Sequence, residues 1–268
     1  CETDVFQVGY LWLEADRRKI KPLFADLLKS VGLIEGIERV RFISPHPKDL
    51  TLERVAAMSE TKSVCEHLHL PLQSGSDSIL SAMHRGYSSE RFLHKLKQAR
   101  SGIKDLAVTT DLIVGFPGES EKDFDETLQV AAEAQFDAAY TYIFSSRPGT
   151  KAAEMESEFV DHVTAVRRYE TLRNVVTRSS LLKHKERVGR VEEVLVEGRS
   201  KKGTDLIKTR TRQNKILHLK FEESLRAGTY ARVQVTEAPS HYLLGELLEI
   251  VATPKHRKRI PVMAEQSV

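Results

Sequence analysis

The chain has 268 residues, of which 40% are hydrophobic and 29% charged, a composition typical of a globular protein with one large domain or two smaller ones. No window approaches the ~20 apolar residues of a transmembrane helix, and the first residues lack the order of a signal peptide. The two cysteines, Cys1 and Cys65, argue against a disulfide framework and predict a reducing, cytoplasmic location.

The net charge of +3 is unevenly distributed. From Lys183 onward there are 18 basic and 11 acidic residues, a net charge of +7, whereas residues 1–182 carry −4. A basic C-terminal third on a mildly acidic body predicts an appended module that binds a polyanion. The alternative is a solvated basic surface without a ligand.

The first two-thirds of the chain alternates helical and strand-like segments. Thr51, and Ser88 or Ser89, are the expected N-caps of two of the helices. Strands that alternate with amphipathic helices predict βαβ units and a parallel sheet. The predicted helices are 24–32, 50–60, 88–102, 121–135 and about 160–186, and the predicted strands are 39–44, 64–73, 106–115 and 138–145.

Each predicted strand of this region is followed by a turn of polar residues, glycine and proline. The turns are SPHPKD (44–49), PLQSGSD (71–77), GFPGES (115–120) and SSRPGT (145–150). Ligand sites in parallel α/β folds lie at the carboxyl ends of the strands. The four turns therefore predict the wall of one pocket.

After about residue 187 the pattern changes to short β-branched segments. Their spacing predicts a small antiparallel barrel of about five strands. Positive charge is densest over residues 199–215, and the basic tail, 252–268, has a composition that predicts disorder. The five predicted strands are 191–198, 205–212, 215–221, 228–239 and 242–251.

Four blocks carry a resemblance to a known family. RVRFISPHPKDL (39–50), HLHLPLQSGSDSILSAMHRGYSSE (67–90), TTDLIVGFPGESEKDF (109–124) and YTYIFSSRPGTKAAEM (140–155) resemble the radical S-adenosylmethionine methylthiotransferases, the MiaB/RimO family. The final barrel resembles the TRAM domain of those enzymes.

The resemblance implies an α/β fold. A partial radical-SAM (β/α) barrel over residues 23–186 is followed by a small all-β, OB-like TRAM barrel over 187–251. Residues 1–22 are unassigned.

The SPHP block at 44–47 is similar to that of the tRNA-modifying, MiaB-type branch. The resemblance implies radical chemistry that consumes two S-adenosylmethionine molecules and adds a methylthio group to carbon 2 of N6-isopentenyladenosine, beside the anticodon. The implied partner is the anticodon stem-loop of tRNA. The sequence does not fix the oligomeric state, for which we favour a monomer.

Three alternatives remain open at this point. The substrate could instead carry threonylcarbamoyladenosine. The chain could be a non-catalytic RNA-binding protein that uses its TRAM barrel. It could also be an ordinary metal-independent barrel enzyme, with Asp111 and Glu119 as its carboxylates.

The cysteines depart from the family pattern. The 4Fe-4S cluster of these enzymes is held by three cysteines spaced CxxxCxxC, because iron–sulfur clusters need thiolate ligands. Cys1 and Cys65 do not form that triad, and the cysteines of the family's second cluster are absent as well. The resemblance therefore implies an N-terminally truncated chain that is inactive alone, and we predict no metal ligands in it.

The resemblance implies that S-adenosylmethionine binds at the strand ends. Two glycines flanking Pro117 are expected to let the backbone approach the ligand, although a turn alone would also need them. Glu119 is either a pocket residue or a first-turn carboxylate of the next helix. The residues implied to contact this cosubstrate are Ser44, Gln73, Ser74, Asp111, Gly115, Pro117 and Gly118.

Two further interpretations concern strand 64–73 and the turn after it. His67 and His69 point to one face of the strand, and we expect them to be packed and hydrogen-bonded rather than metal-bound. Ser76 or Asp77 is the expected N-cap of the helix that follows the strand, and Asp77 is favoured for that role.

The residues implied to contact RNA lie in two groups. His46 and Arg147 belong to the pocket edge. Lys208, Arg210 and Arg212 project to one face of a strand and form a row suited to phosphates, followed by Asn214 and Lys215. The alternative is an exposed basic strand that merely prevents edge-to-edge aggregation.

Overall fold

The structure is a computed structural model that describes residues 23–43, 45–200 and 205–254. Predictions for 1–22, Ser44, 201–204 and 255–268 lie outside the described residues. None of the described helices has the length and apolar character that a membrane span requires. The helices are α1 (Phe24–Gly32), α2 (Leu52–Glu60), α3 (Asp77–Ala82), α4 (Ser89–Gly102), α5 (Glu121–Ala134), α6 (Lys151–Glu154) and α7 (His162–Lys185), with short 3-10 turns at Pro47–Asp49 and Glu156–Glu158.

The N-terminal part contains a parallel sheet of three strands, β1 (His67–His69), β2 (Ala107–Val114) and β3 (Ala138–Ile143), in that spatial order. Alternate residues of β2, including Val108 and Leu112, are fully buried within the main hydrophobic core. On the other side of β2, Thr109, Asp111 and Ile113 are only partly buried, and we call this side the inner face of the sheet. The βαβ connectivity expected from the sequence is confirmed.

The prediction of a strand over 39–44 is wrong for the described residues 39–43. They form a single bridge, Val40 to Val64, and no ladder. The guanidinium groups of Arg39 and Arg41 bond instead to main-chain oxygens of the C-terminal barrel. The predicted strand 64–73 is also shorter, and it ends at His69, two residues before Pro71, which has no N–H to donate to a ladder.

Local capping signals determine where the helices begin. Thr51 Oγ1 accepts from the Arg54 N–H at 3.3 Å, and Ser88 Oγ accepts from the Arg91 N–H at 3.2 Å. Ser120 caps α5 in a reciprocal capping box. The caps expected at Thr51 and Ser88 are confirmed.

The C-terminal part is a closed barrel of β4 (Val191–Arg199), β5 (Leu206–Thr211), β6 (Ile216–Lys220), β7 (Tyr230–Glu237) and β8 (Leu243–Ala252). The spatial order is β4-β5-β6-β8-β7, and its core is built from alternate apolar residues. Four of the five pairings are antiparallel as expected, but β6 and β8 pair in parallel. Closure pairs both edges of every strand, which removes the free edge that favours aggregation.

The two parts are joined by reciprocal arginine contacts. Arg39 donates to the Arg210 carbonyl oxygen at 2.7 Å, and Arg41 donates to the Thr211 carbonyl oxygen at 2.8 Å. In the opposite direction, Arg212 donates to the carbonyl oxygens of Lys62 and Val64 at 2.9 and 2.8 Å. Because each side supplies donors to the other's main chain, the barrel is fixed against the sheet.

Buried polar side chains reinforce this junction. Lys215 Nζ lies 2.7 Å from Asp137 Oδ1, and both side chains are almost fully buried. His184 of α7 contacts the Pro239 carbonyl oxygen through Nδ1 at 3.1 Å. Burial lowers the pKa of His184 to about 4, so this imidazole is neutral at pH 7 and its Nδ1–H donates to the carbonyl.

Candidate functional site

A cleft of about 1090 Å³ opens at the carboxyl ends of β2 and β3. Its charged lining combines three cationic side chains, Arg85, Arg147 and Lys151, with three acidic ones, Asp111, Glu154 and Glu158. Apolar and aromatic groups complete the wall, among them Ile113, Phe116, Tyr142, Phe144 and Met155. A mixed lining of this kind suits a ligand that has an apolar part and charges of both signs.

Three of the residues expected from the sequence line this cleft: Gln73, Asp111 and Arg147. The Gln73 main chain makes two hydrogen bonds to β2: its N–H donates to the Asp111 carbonyl, and its carbonyl accepts from the Ile113 N–H, each at 2.8 Å. Gln73 has a φ of 71°, an unusual value for a non-glycine residue. The structure therefore places Gln73 and Asp111 at one end of one pocket.

Ser74 points elsewhere. Its buried Oγ lies 3.2 Å from Thr127 Oγ1 of α5 and accepts from the Ser76 N–H at 3.2 Å. A Cβ on the neighbouring Gly75 would stand 2.6 Å from the Thr127 Cα. The contacts of Ser74 thus fasten the turn to a helix, and Ser74 does not line the cleft.

Asp77 differs from its expected capping role. Ser76 occupies the N-cap position of α3, and Asp77 is the first helical residue. The Asp77 carboxylate accepts from the Ser89 N–H at 2.7 Å, which ties α3 to the start of α4. The Ser76 hydroxyl donates to Asp123 at 2.6 Å rather than capping its own helix.

Gly115 and Gly118 are required by the turn itself, with φ values of 71° and 79°. A Cβ on Gly115 would lie 3.1 Å from the Ala165 Cβ, and one on Gly118 would lie 3.0 Å from Glu158 Oε2. The space beside Gly115 is therefore taken by α7, whereas the exposed Gly118 meets only the end of the Glu158 side chain. Gly115 therefore leaves no room for a ligand, contrary to expectation, and neither glycine nor the buried Pro117 lines the cleft.

Glu119 is fully buried beneath this turn. Its Oε2 accepts from the Gly115 N–H at 2.7 Å and from Arg168 Nη1 at 2.8 Å. Arg168 also donates to the Glu119 carbonyl at 2.9 Å and to Glu121 at 2.7 Å. Of the two roles considered for Glu119, the structure shows neither: it is an anchor that holds the turn to α7.

His67 and His69 are packed and hydrogen-bonded, as expected. Both rings bond to Thr109 Oγ1, through His67 Nε2 at 3.1 Å and His69 Nδ1 at 2.9 Å. His69 Nε2 then reaches Asp111 Oδ2 at 3.2 Å. These four side chains form a continuous row along the inner face that ends at the cleft.

His46 lies outside the cleft. Its Nδ1 accepts from the Lys48 N–H at 3.2 Å, and its ring packs edge-on to Tyr87 with the centroids 5.3 Å apart. The Tyr87 hydroxyl donates to the Leu72 carbonyl at 3.0 Å, and burial raises the pKa of Tyr87 to about 12. The visible role of His46 is therefore to stabilise its own turn.

The basic residues of β5 are ion-paired. Lys208 and Arg210 share the partly exposed face of the strand, as the alternation predicts, and both contact Glu197 of β4. Burial alone would raise the pKa of Glu197, but hydrogen bonds from Arg210 and Lys208 lower it to about 2. Asn214 has a φ of 62° and its Oδ1 accepts from Arg210 at 3.1 Å.

The remaining two members of the predicted phosphate row belong to the junction between the two parts. Arg212 binds Glu66 through two nitrogens, at 2.7 and 2.9 Å, and Lys215 is buried against Asp137. An ammonium that is 4% exposed cannot reach a phosphate. We therefore withdraw Lys215 from the RNA-binding set, and Arg212 is already engaged by protein groups.

Sequence reasoning did not identify Arg39, Arg41, Arg168 or Asp137 as important. The spacing of Arg39 and Arg41 was a usable signal, since residues two apart in extended chain share a face. Arg168 carries no such signal, because a helical arginine is usually exposed and its partner Glu119 lies 49 positions away.

The comparisons with known proteins agree with this architecture. Residues 7–131 match the Radical SAM superfamily and residues 185–248 match the TRAM domain. The chain therefore contains a radical SAM region. A TRAM domain follows its radical SAM region, in the position of the closed barrel.

Two relatives are similar over most of this chain. The tRNA-2-methylthio-N(6)-dimethylallyladenosine synthase of Thermoanaerobacter sp. is 47% identical over 228 residues, which are 85% of this chain and 48% of that protein. The synthase of the same name from Caldicellulosiruptor saccharolyticus is 44% identical over 225 residues, 84% of this chain and 47% of that protein. The chain thus spans about half the length of the curated relatives it matches.

Among solved structures, coproporphyrinogen III oxidase (HemN) from Escherichia coli, a radical SAM enzyme, is similar with a TM-score of 0.45 and 14% identity, over 71% of this chain and 45% of that one.

The described residues do not fit an iron–sulfur cluster. Cys65 is buried, and its burial raises the pKa of the thiol, which disfavours the thiolate that a cluster needs. No group of three His, Cys, Asp or Glu side chains in the described part of the chain could hold a metal ion. Any cluster ligands would have to come from residues other than these.

Proposed function

We propose that this chain supplies the cosubstrate cleft and the RNA-binding barrel of a tRNA methylthiotransferase. The observation that carries the proposal is the 47% identity to a tRNA-2-methylthio-N(6)-dimethylallyladenosine synthase, which extends through both the radical SAM and the TRAM regions. The proposed substrate is N6-isopentenyladenosine (also called dimethylallyladenosine) next to the anticodon of tRNA, which would place the protein in the cytoplasm.

The cleft fits S-adenosylmethionine, which combines an apolar adenine with an ammonium, a carboxylate and a sulfonium. Arg85, Arg147 and Lys151 offer donors for the carboxylate. Asp111, Glu154 and Glu158 offer acceptors for the ammonium and the ribose hydroxyls. When bound, this cosubstrate would supply the methyl group and the adenosyl radical of the reaction; the residues of this chain bind and orient it.

Ser44 lies outside the described residues and remains a proposed contact. Gln73, Asp111 and Arg147 are the predicted residues that the cleft supports as contacts. On the barrel, Lys208 is the predicted phosphate contact that is partly exposed and not tied to the junction.

Binding provides the direct test. Titration calorimetry of the chain with S-adenosylmethionine should show one site, and Arg147→Gln should weaken it because Arg147 is exposed at the cleft edge. Arg226→Gln, at an exposed arginine between β6 and β7 that does not line the cleft, is the matched control. A chain that is folded by circular dichroism and binds no S-adenosylmethionine would contradict the proposal.

Activity is tested in a chimaera. The Thermoanaerobacter synthase would supply the half of its length that this chain does not match, and this chain would supply the rest. Mass spectrometry of the digested tRNA should show the methylthio derivative of N6-isopentenyladenosine. A methylthio derivative of threonylcarbamoyladenosine would assign the alternative substrate, and tRNA binding without either product would favour the non-catalytic alternative.

A further inference from the structure

Four side chains on the inner face of the sheet form an unbroken hydrogen-bond row. It runs from His67 through Thr109 and His69 to Asp111, with heavy-atom distances of 3.1, 2.9 and 3.2 Å. The first three lie along β1 and β2, and Asp111 borders the cleft. The row links the interior of the protein to the proposed cosubstrate site.

With a neutral His69, the chemistry of the members sets the direction of every bond. A carboxylate only accepts, so His69 Nε2 carries the hydrogen that bonds to Asp111. In a neutral His69 the Nδ1 is then an acceptor, and the Thr109 hydroxyl must donate to it. That hydroxyl has a single hydrogen, so its oxygen accepts from His67 Nε2–H.

The environment of His67 agrees with this direction. Burial lowers the pKa of His67 to about 4, with Arg41 and His69 acting in the same sense, so the ring is neutral. Its Nδ1 is buried without a partner among the described residues. The direction above leaves this nitrogen as a bare lone pair rather than an unpaired N–H donor.

A row of hydrogen bonds that runs the opposite way, from His69 to His67, has a higher free energy. If His69 carried two hydrogens, its Nδ1 would donate to Thr109, and the hydroxyl hydrogen would then either lack an acceptor within the row or turn toward His67 Nε2 and force a hydrogen onto His67 Nδ1. In the latter case the His67 Nδ1 would be a buried N–H without an acceptor, which is strongly unfavourable. Three charged groups shift the pKa of His67: Arg41 and Lys215 lower it, and Asp137 raises it. The aromatic ring that packs on His69 is Tyr140, edge-on with the centroids 6.0 Å apart.

The second carboxylate oxygen of Asp111 is available to a ligand. Oδ2 is occupied by His69, and Oδ1 has no hydrogen-bond partner among the described residues, while the side chain is 25% exposed. We propose that the one-way row from His67 through Thr109 and His69 orients Asp111 as an acceptor for a hydroxyl or ammonium donor of the ligand in the cleft. This inference rests on the proposed function, since it takes S-adenosylmethionine as that ligand.

His69, Thr109 and His67 are then positioning residues, because they act through Asp111. Two variants separate their effect from simple packing. Thr109→Val keeps the shape but removes the hydroxyl, and Thr109→Ser restores the hydroxyl. Asp111→Asn keeps the size of the side chain but replaces one acceptor oxygen with an NH₂ donor. That NH₂ must face either His69 Nε2–H or the ligand donor, so one of the two hydrogen bonds is lost and two donors repel each other there.

The experiment combines nitrogen-15 imidazole spectra with calorimetric titration of S-adenosylmethionine on the intact chain. The spectra should show Nε2–H tautomers for both histidines, and Thr109→Val should mix the His69 tautomers while Thr109→Ser keeps them. Asp111→Asn should weaken binding roughly ten- to hundredfold. Thr109→Val should weaken it less, and Thr109→Ser should bind like the wild type.

Two results would overturn the inference without touching the proposed function. They are a His67 Nδ1–H tautomer in the wild-type chain, and wild-type affinity in a folded Asp111→Asn variant. Absence of S-adenosylmethionine binding in the folded wild type is a separate outcome, because it would overturn the proposed function and this inference with it.

Discussion

The buried pair of Glu119 and Arg168 allows a sharp prediction about stability. The two side chains are 0% and 4% exposed, and Arg168 makes contacts of 2.8, 2.9 and 2.7 Å to the Glu119 carboxylate, the Glu119 carbonyl and Glu121. Arg168→Ala removes all three and leaves a buried carboxylate whose Oε1 already lacks a partner among the described residues. Breaking a buried pair in this way costs about 3–5 kcal/mol.

Thermal unfolding followed by circular dichroism measures the effect. For a protein of this size, 1 kcal/mol corresponds to roughly 2–4 °C in Tm, so Arg168→Ala should lower Tm by about 6–20 °C. Arg167→Ala is the matched control, because it is the neighbouring residue of the same helix and also contacts Glu121 at 2.7 Å, but is 55% exposed. It should cost no more than about 1 kcal/mol.

A double variant tests the cause. Glu119→Gln removes the charge, so Glu119→Gln combined with Arg168→Ala should cost less than the sum of the two single changes. Equal losses of Tm in Arg168→Ala and Arg167→Ala would refute the reasoning that burial, rather than the presence of an ion pair, determines the cost. Strict additivity in the double variant would do the same.

Three further predictions concern the turn, the junction and the barrel. Gly115→Ala should cost more than Gly149→Ala in urea unfolding, since both have positive φ and cost about 1–2 kcal/mol for that reason, but only Gly115 meets a neighbour, at 3.1 Å. The pKa of His184 is depressed to about 4 in the folded protein, so its contribution to stability is present above pH 6.5 and is lost as the pH falls toward 4. Between these pH values the wild type should therefore lose about 3 kcal/mol of unfolding free energy through His184. His184→Gln should abolish this part of the pH dependence, as measured by unfolding across the range. Lys208→Gln should reduce the magnitude of the slope of log K against log salt for tRNA binding by roughly 0.7–0.9. Lys215→Gln should leave that slope unchanged and lower Tm. An unchanged slope for Lys208→Gln would show that Lys208 does not contact the RNA.

What the sequence could predict was local. Thr51 and Ser88 were recognisable as caps because the N–H groups they satisfy lie three residues away. The parallel sheet followed from the alternation of helices and strands, and the pocket followed from the turns at the strand ends. The cleft contains Gln73, Asp111 and Arg147 for that reason.

What failed was non-local. Lys215 looked like a phosphate contact because it ends a basic run, but its partner Asp137 lies 78 positions earlier and buries it. Gly115 was recognisably required, yet the neighbour that needs its space, Ala165, is 50 positions away. A local sequence pattern predicts the backbone conformation that a residue needs, whereas its tertiary contacts are known only from the structure.

The arginines at the junction bind main-chain oxygens, and this has a consequence for sequence divergence. Arg39 and Arg41 recognise the carbonyls of residues 210 and 211, and Arg212 recognises those of residues 62 and 64. Every amino acid offers the same carbonyl, so the receiving positions can change without losing these bonds. The main-chain bonds of the junction should therefore persist among homologues that retain the three arginines, whereas the contacts of Arg39 with Glu193 and of Arg212 with Glu66 also require those glutamates.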